Sequence, residues 1–194
     1  MNPDSIQKYF EIVEEAKKEI VRLNGGIAFT DDLALNLDES GLDQTSNKHD
    51  RVVTLKIKTL TSYIQSSSDR THLSACVCIG GDGKRFKTMY AIKGVKRMHN
   101  ELPGCPEGVQ YIMTEKGYFD EASFEKYINF LIDQLPPKEV DPRWRLLIFY
   151  GYGPHTMVYS TVKLLHDNRI HAVCMPSHTS QILQPLDVAC FFPS

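Results

Sequence analysis

The stretch "RLLIFYGYGPHT", Arg145–Thr156, decides how the second half of the chain is put together. Residues 145–150 are mostly apolar and read as a buried strand, which Gly151 and Gly153 then break. A helix is expected over roughly 156–167, and "IHAVCMP" (170–176) reads as a further short buried strand. Strands separated by a helix pair in parallel, so these two are expected side by side in one sheet. The end of such a strand is where many enzymes place a catalytic carboxylate. Here that position is Tyr150.

Upstream, residues 5–23 carry Ile6, Phe10, Ile12, Val13, Ile20, Val21 and Leu23 among Glu and Lys, an amphipathic helix stopped by Gly25-Gly26. "LALNLD" (33–38) alternates apolar and polar residues as a half-buried strand does, and is expected to end at the turn "ESG". Residues 43–70 are polar and read as a long connection with one strand at Val52–Ile57. "THLSACVCI" (71–79) and "RFKTMYAIKG" (85–94) flank "GGDGK", whose Asp82-Gly83 pair signals a hairpin. "VQYIMT" (109–114) is a short strand, and 120–135 is a helix with Asp120 as its N-cap, ended by Pro136-Pro137. The final segment, "SHTSQILQPLDVACFFPS", starts as a loop and turns helical near Pro185. The order predicts one α/β domain over 1–194: a mixed sheet with helices on both faces.

Composition narrows the function classes. A chain of 194 residues with 42% hydrophobic and 24% charged residues is long enough to bury a core and too apolar to be disordered. No apolar run approaches the roughly 20 residues that cross a bilayer, and the charged N-terminal helix lacks a signal peptide's apolar core. A nuclear or cytoplasmic location is the corresponding expectation. The 22 basic and 24 acidic residues give no global field for a polyanion, so nucleic-acid contact would need a local patch. Cys76, Cys78, Cys105, Cys174 and Cys190 are odd in number and irregularly spaced; "ACVC" has no second pair, so buried free thiols are expected.

Three positions stand out for chemistry: Asp38 in "NLDESG", Tyr150 in "LIFYGYGPH" and Asp187 in "ILQPLD". If the first and later strands are neighbours, all three converge at one edge of the sheet. Three carboxylates there would hold two hard divalent ions, about 3.5–4 Å apart, for attack on a phosphodiester.

These stretches resemble the catalytic domain of DDE-type transposases of the pogo/Tigger group, the group that also gave rise to centromere-binding B-type and jerky-type proteins. "NLDESG" is similar to the family's N-x-D-E-T/S-G, and "MPSHTSQILQPLDVACF" to its P-x-H-T-S-x-x-L-Q-P-L-D-V-x-x-F. "LLIFYGYGPHT" resembles L-L-x-x-D-G-x-x-x-H, and the hairpin strands resemble the family's T-x-x-x-x-x-x-A-D-G segment. The resemblance runs from about residue 5 to the C-terminus. It implies an RNase H-like fold, DNA as partner, paired Mg²⁺ or Mn²⁺, and Asp38 and Asp187 as the first and third metal-binding acids.

The second acid is implied at position 150, where this chain has Tyr150. The 36 residues between 150 and 187 suit the family's last spacing, and Gly151 and His155 still match, so the register holds and one residue has changed. A phenol, with a reference pKa near 10, is neutral at pH 7 and suits a divalent ion poorly. Asp141 and Asp167 stand too far along the chain to replace it, and Glu39 and Asp43 lie on the same run as Asp38. The implied outcome is impaired metal binding and a lost endonuclease activity. The alternatives are residual metal-dependent activity, or a domesticated DNA-binding or scaffolding protein, possibly a homodimer. The resemblance also implies a helix-turn-helix region ahead of the domain and a further helix behind it; neither is found between Met1 and Ser194, so a C-terminally truncated core is expected.

Each residue also has a plainer reading. Asp38 could cap a turn, and Asp187 could be an early-turn acid facing a helix dipole. His155 and His178 stand singly and make no zinc set. Lys84, Arg85, Lys87, Lys93, Lys96 and Arg97 read as solvated surface, with phosphate contact as the functional alternative. "GYGPHT" lacks the third glycine of a dinucleotide fingerprint.

Overall fold

A computed structural model describes residues 3–43, 72–94, 109–150, 158–176, 179 and 183–188. The first helix, α1 (Pro3–Leu23), is followed by a 3-10 turn at Asp31–Leu33 and strand β1 (Ala34–Asp43). Strands β2 (His72–Gly80), β3 (Met89–Lys93) and β4 (Gln110–Thr114) come next. Helix α2 (Glu121–Ile132), strand β5 (Arg145–Tyr150), helix α3 (Tyr159–Asp167) and strand β6 (Ile170–Met175) complete the order. The expected strand at Val52–Ile57 lies outside the described residues.

One six-stranded sheet runs β4-β3-β2-β1-β5-β6. β1, β2 and β3 pair antiparallel, while β5 lies parallel to β1 and β6 parallel to β5. This meander followed by parallel strands, with helices on both faces, is the RNase H-like arrangement. β4 adds to the far edge parallel to β3, a pairing that sequence patterning alone does not specify.

The alternation of side chains divides the core into two. On one face Leu35, Leu37, Leu147 and Phe149 pack with Phe124, Tyr127, Ile128 and Leu131 of α2 and Leu165 of α3. On the other, Leu146, Val173 and Met175 pack with Tyr9, Val13, Ala16 and Ile20 of α1. Those four positions recur every three or four residues and form one narrow stripe. The broader stripe expected from sequence is corrected here: Phe10, Ile12 and Leu23 are exposed, because the sheet covers only one side of α1.

Local chemistry explains most boundaries. Gly25 and Gly26 have φ of 69° and 88°, and Gly26 N–H closes back on the Val21 carbonyl, so α1 ends where a left-handed turn is free of strain. Asp120 caps α2 by accepting from the Ser123 amide at 2.9 Å, and the Ser123 hydroxyl accepts from the Asp120 amide. In the hairpin, Asp82 Oδ1 accepts from the Lys84 amide while Gly83 takes φ 85°.

β1 departs from expectation. It does not stop at Asp38 but continues through "ESGLD" to Asp43, because β2 pairs with it all the way from Leu35↔Gly80 to Asp43↔His72. A long antiparallel partner overrides the turn preference of Ser-Gly.

At the start of β5 a charge cluster fixes the strand. Arg145 is buried and donates to Asp141 at 2.6 Å; Arg143 donates to both Asp141 oxygens and reaches Asp32 at 2.8 Å. The Arg143 guanidinium, with Arg145 beside it, holds the Asp141 carboxyl down to about 2. Asp141→Asn leaves Arg145 buried without its anion, and is expected to cost about 2 kcal/mol, less than a fully buried pair because Asp141 keeps some water contact. The folded-state carboxyl titrates below its unfolded value, so the contribution is complete above about pH 4 and fades as pH falls toward 2. Urea melts at pH 6 and pH 2.5 check this: the gap between the native chain and Asp141→Asn should shrink at the lower pH.

Candidate functional site

The site follows from a mismatch in strand length. β5 pairs with β1 from Ala34↔Leu146 to Leu37↔Phe149 and ends one residue later, at Tyr150. One step beyond the last pair stands Asp38, beside Tyr150. Past this point, among the described residues, β1 pairs with β2 alone, so Asp38 lies mid-strand in β1 yet at the end of β5.

Alternation fixes which way these residues face. Leu35 and Leu37 enter the core beneath α2, so Asn36 and Asp38 face the α1 side. Tyr150 faces the same side: its ring packs against the cluster containing Met175 and Leu183, and Met175 is its registered partner on β6. Glu39 points to the opposite face, where Glu39 Oε1 accepts from the Phe119 amide at 3.3 Å.

Residues 183–188 bring in the third position. Gln184 is followed by Pro185, which keeps Gln184 out of the α region and suits the first helical position itself. Val188 N–H bonds to the Gln184 carbonyl, closing a helical turn that carries Asp187. Leu186 is fully buried and Leu183 packs on the α1-side core. Asp187 thereby meets Asp38: the two carboxyl groups hydrogen-bond to one another.

Asp38 is 7% exposed. Burial first, and then the charge of Asp187, push its carboxyl up to about 7; hydrogen bonds from the Gln184 side chain and the Glu39 amide pull the other way. Asp38, so deeply buried and set against another acid, takes up a proton near neutral pH unless a cation stands between them. Hard divalent ions are the natural occupants of such a pair.

The sequence-predicted positions 38, 150 and 187 are thus brought to one end of β5: Tyr150 is the last residue of that strand, Asp38 stands one step past the last β1–β5 pair, and Asp187 meets Asp38. The other acids considered do not join them. Asp141 is at the opposite end of β5, tied to arginines. Asp167 is exposed at the end of α3, paired with Lys163. For Asp43 the strand is described but not the side chain, and His155 and His178 lie outside the described residues. Cys76 and Cys78 are buried free thiols whose pKa values burial raises, as expected of packing residues; Cys174 is free and half-buried, and Cys105 and Cys190 lie outside. Among the described residues no group of three or more His, Cys, Asp or Glu could hold a metal ion. Lys84, Arg85, Lys87 and Lys93 are exposed, and the Lys84 ammonium sits 4.7 Å from the Phe86 ring centre; Lys96 and Arg97 lie outside.

Sequence reading missed the two amides at the site. Asn36 Nδ2 donates to Gln184 Oε1 at 2.6 Å and to the Ile148 carbonyl at 3.3 Å, and Gln184 Nε2 donates to the Leu37 carbonyl at 3.0 Å. The available signal was spacing: Asn36 is two residues before one acid on a strand, and Gln184 three before the other on a helical turn.

The DDE superfamily endonuclease family model matches residues 69–193. A curated relative, the MFS-type transporter clz9 of Cochliobolus lunatus, is 35% identical over 81 residues, which is 42% of this chain and 9% of that protein. Among the described residues no helix is long and apolar enough to cross a membrane. In shape, the chain is similar to the Mos1 transposase paired-end complex with left transposon end (10% identity, TM-score 0.49, 96% of this chain and 46% of that one). It is also similar to the Mos1 transposase catalytic domain with Raltegravir and Mg (10% identity, TM-score 0.45, 96% and 69%). Both scores lie below 0.5, so the fold rests on the strand order rather than on these matches. The chain spans less than half of the first of these structures and under a tenth of the curated relative.

Replacing one carboxyl of the pair relieves a like-charge contact. In metal-free buffer with EDTA, Asp38→Asn is expected to raise unfolding stability by about 1 kcal/mol at neutral pH, read from urea midpoints at constant slope. A lower midpoint would show that the carboxyl itself supports the fold.

Proposed function

The chain belongs to the DDE superfamily endonuclease family, and from that premise we propose that it is a transposase-derived DDE endonuclease-like domain whose phosphodiester chemistry has been lost at position 150. The observation that carries the proposal is the register of β1 and β5, which sets Tyr150 beside Asp38 on the face that also receives Asp187.

Family membership implies Mg²⁺ or Mn²⁺, and the donor set here fits that implication only in part. Asp38 and Asp187 are two carboxylates in contact, a fit for one hard cation. A second ion needs a further carboxylate, and Tyr150 instead offers an aromatic ring packed into the apolar cluster. A pair of ions would activate water and stabilise the leaving oxygen; with one ion's worth of ligands, no such step is derived for this chain. The roles left to its own residues are those of Asp38 and Asp187 as relict ligands.

DNA is the partner this reading supplies by ancestry. The exposed Lys84, Arg85 and Lys87 at the hairpin are the phosphate-contacting candidates on a chain that otherwise carries a net charge of −2. Binding through them is expected to be weak and steeply salt-dependent; alanine at all three should flatten the slope of log affinity against log salt by about 2–3 units. Unchanged slope would place the contacts elsewhere.

Nicking of supercoiled plasmid in Mn²⁺ tests the loss of activity. The native chain is expected to match an Asp38→Asn control, and Tyr150→Asp to nick at least tenfold faster than either. Native nicking that disappears in Asp38→Asn would overturn the inactive reading. No gain in Tyr150→Asp would remove position 150 as its cause.

A further inference from the structure

Gln184 occupies a position that packing alone does not explain. It is a long polar side chain with no measurable exposure, in a segment whose neighbours Leu183 and Leu186 already supply apolar contact. Burying an amide is costly unless its bonds are made. Here they are all made, and all to one strand. Its oxygen accepts from Asn36 at 2.6 Å; its nitrogen donates to the Leu37 carbonyl at 3.0 Å and to the Asp38 carboxyl. Three consecutive residues of β1 thus hold one side chain.

The amide orientation follows from the same bonds. Asn36 uses its nitrogen for two acceptors, Ile148 O and Gln184 Oε1, which leaves Asn36 Oδ1 without a partner among the described residues. Turning Asn36 over would set its oxygen against both acceptors, and turning Gln184 over would set an oxygen against the Leu37 carbonyl. The arrangement has one low-energy sense.

Gln184 and Asp187 are three residues apart on a turn closed by the Val188–Gln184 bond, and residues so spaced share a face. Fixing one fixes the other. We propose that Gln184 is a positioning residue: its buried amide, read by Asn36, Leu37 and Asp38 of β1, sets where Asp187 stands relative to Asp38. The inference rests on the reading of Asp38 and Asp187 as cation ligands, and adds the device that keeps them together despite their like charge. Gln184 is not itself a cation ligand; it acts through the two acids, on Asp38 by a direct hydrogen bond and on Asp187 through the turn they share.

The test uses the full chain and two readouts. One is hydrogen exchange of peptides covering 183–188 in metal-free protein; the other is affinity for Mn²⁺ alone, by electron paramagnetic resonance. Gln184→Met keeps length and adds apolar contact but makes none of the bonds. Gln184→Glu keeps shape but turns the donor toward Leu37 and Asp38 into an acceptor. Both are expected to speed exchange in 183–188 at least tenfold, with β5 and β6 unchanged, and to weaken Mn²⁺ binding at least tenfold. Should either variant fold poorly, Asn36→Ser removes the donor to Gln184 from the strand side and should move both readouts in the same direction. Native exchange and native Mn²⁺ affinity in Gln184→Met would overturn the proposal, since filling space would then suffice. If the native chain binds no Mn²⁺ while exchange responds as stated, the ligand reading falls and the positioning role stands.

Discussion

β1 is paired along its full length on one side and along less than half of it on the other. β2 runs beside it from Leu35 to Asp43, whereas β5 leaves after Leu37↔Phe149. The edge opened by that early departure is where a C-terminal segment can lay polar groups against β1 without entering the sheet. Every feature of the site follows from it. Asp38 is the first residue of β1 past the last β1–β5 pair, Tyr150 is the last residue of β5, and Gln184 and Asp187 reach β1 at this point. Had β5 run two residues further, the space would be filled by a strand.

The constraint is electrostatic as well as geometric. Each buried apolar side chain of the two clusters contributes about 1.5–3 kcal/mol, and this surplus lets the fold tolerate two acids in contact. The tolerance is local: the pull of burial and of Asp187 on Asp38 exceeds the hydrogen bonds that Gln184 and Glu39 supply, so the carboxyl still rises to about 7. The opposite end of β5 shows the contrasting solution. There Asp141 faces Arg143 and Arg145, and its carboxyl falls to about 2. Among the described residues, the acid at the foot of the strand is paired with arginines, whereas the acid at its head lies against another acid.

Much of this was legible in the sequence, for reasons that differ by residue. Asp120 announced the start of α2 because a cap is chosen by its nearest neighbours, and Asp82-Gly83 announced the hairpin because a tight turn restricts φ locally. The edges of β5 and β6 were set by glycine and proline close by. The motifs around Asp38 and Asp187 pointed to the same pairing that the fold brings about. What local pattern did not contain was length and partnership. β1 outran its turn signal because β2, beginning 29 residues after β1 ends, pairs with all of it. The stripe on α1 narrowed because the sheet decides how much of a helix it covers. The Asn36–Gln184 bond spans 148 positions, and neither amide is distinctive alone. Long-range polar matches leave no periodicity to detect.

Tyr150 brings the chemical and the structural accounts to a single conclusion. An aspartate there would add a third negative group to a pair that already takes up a proton near neutral pH, with a metal as the only relief. A tyrosine removes that charge and packs against the α1-side cluster to which Met175 belongs. By charge and by buried area the substitution favours the folded chain. Residues that serve a reaction at the expense of the fold are the ones a chain can lose without unfolding. Asp38 differs in being bound as well as burdened: it contacts Asp187, the Gln184 side chain and the Glu39 amide, so its replacement gives up those bonds while relieving the like-charge contact.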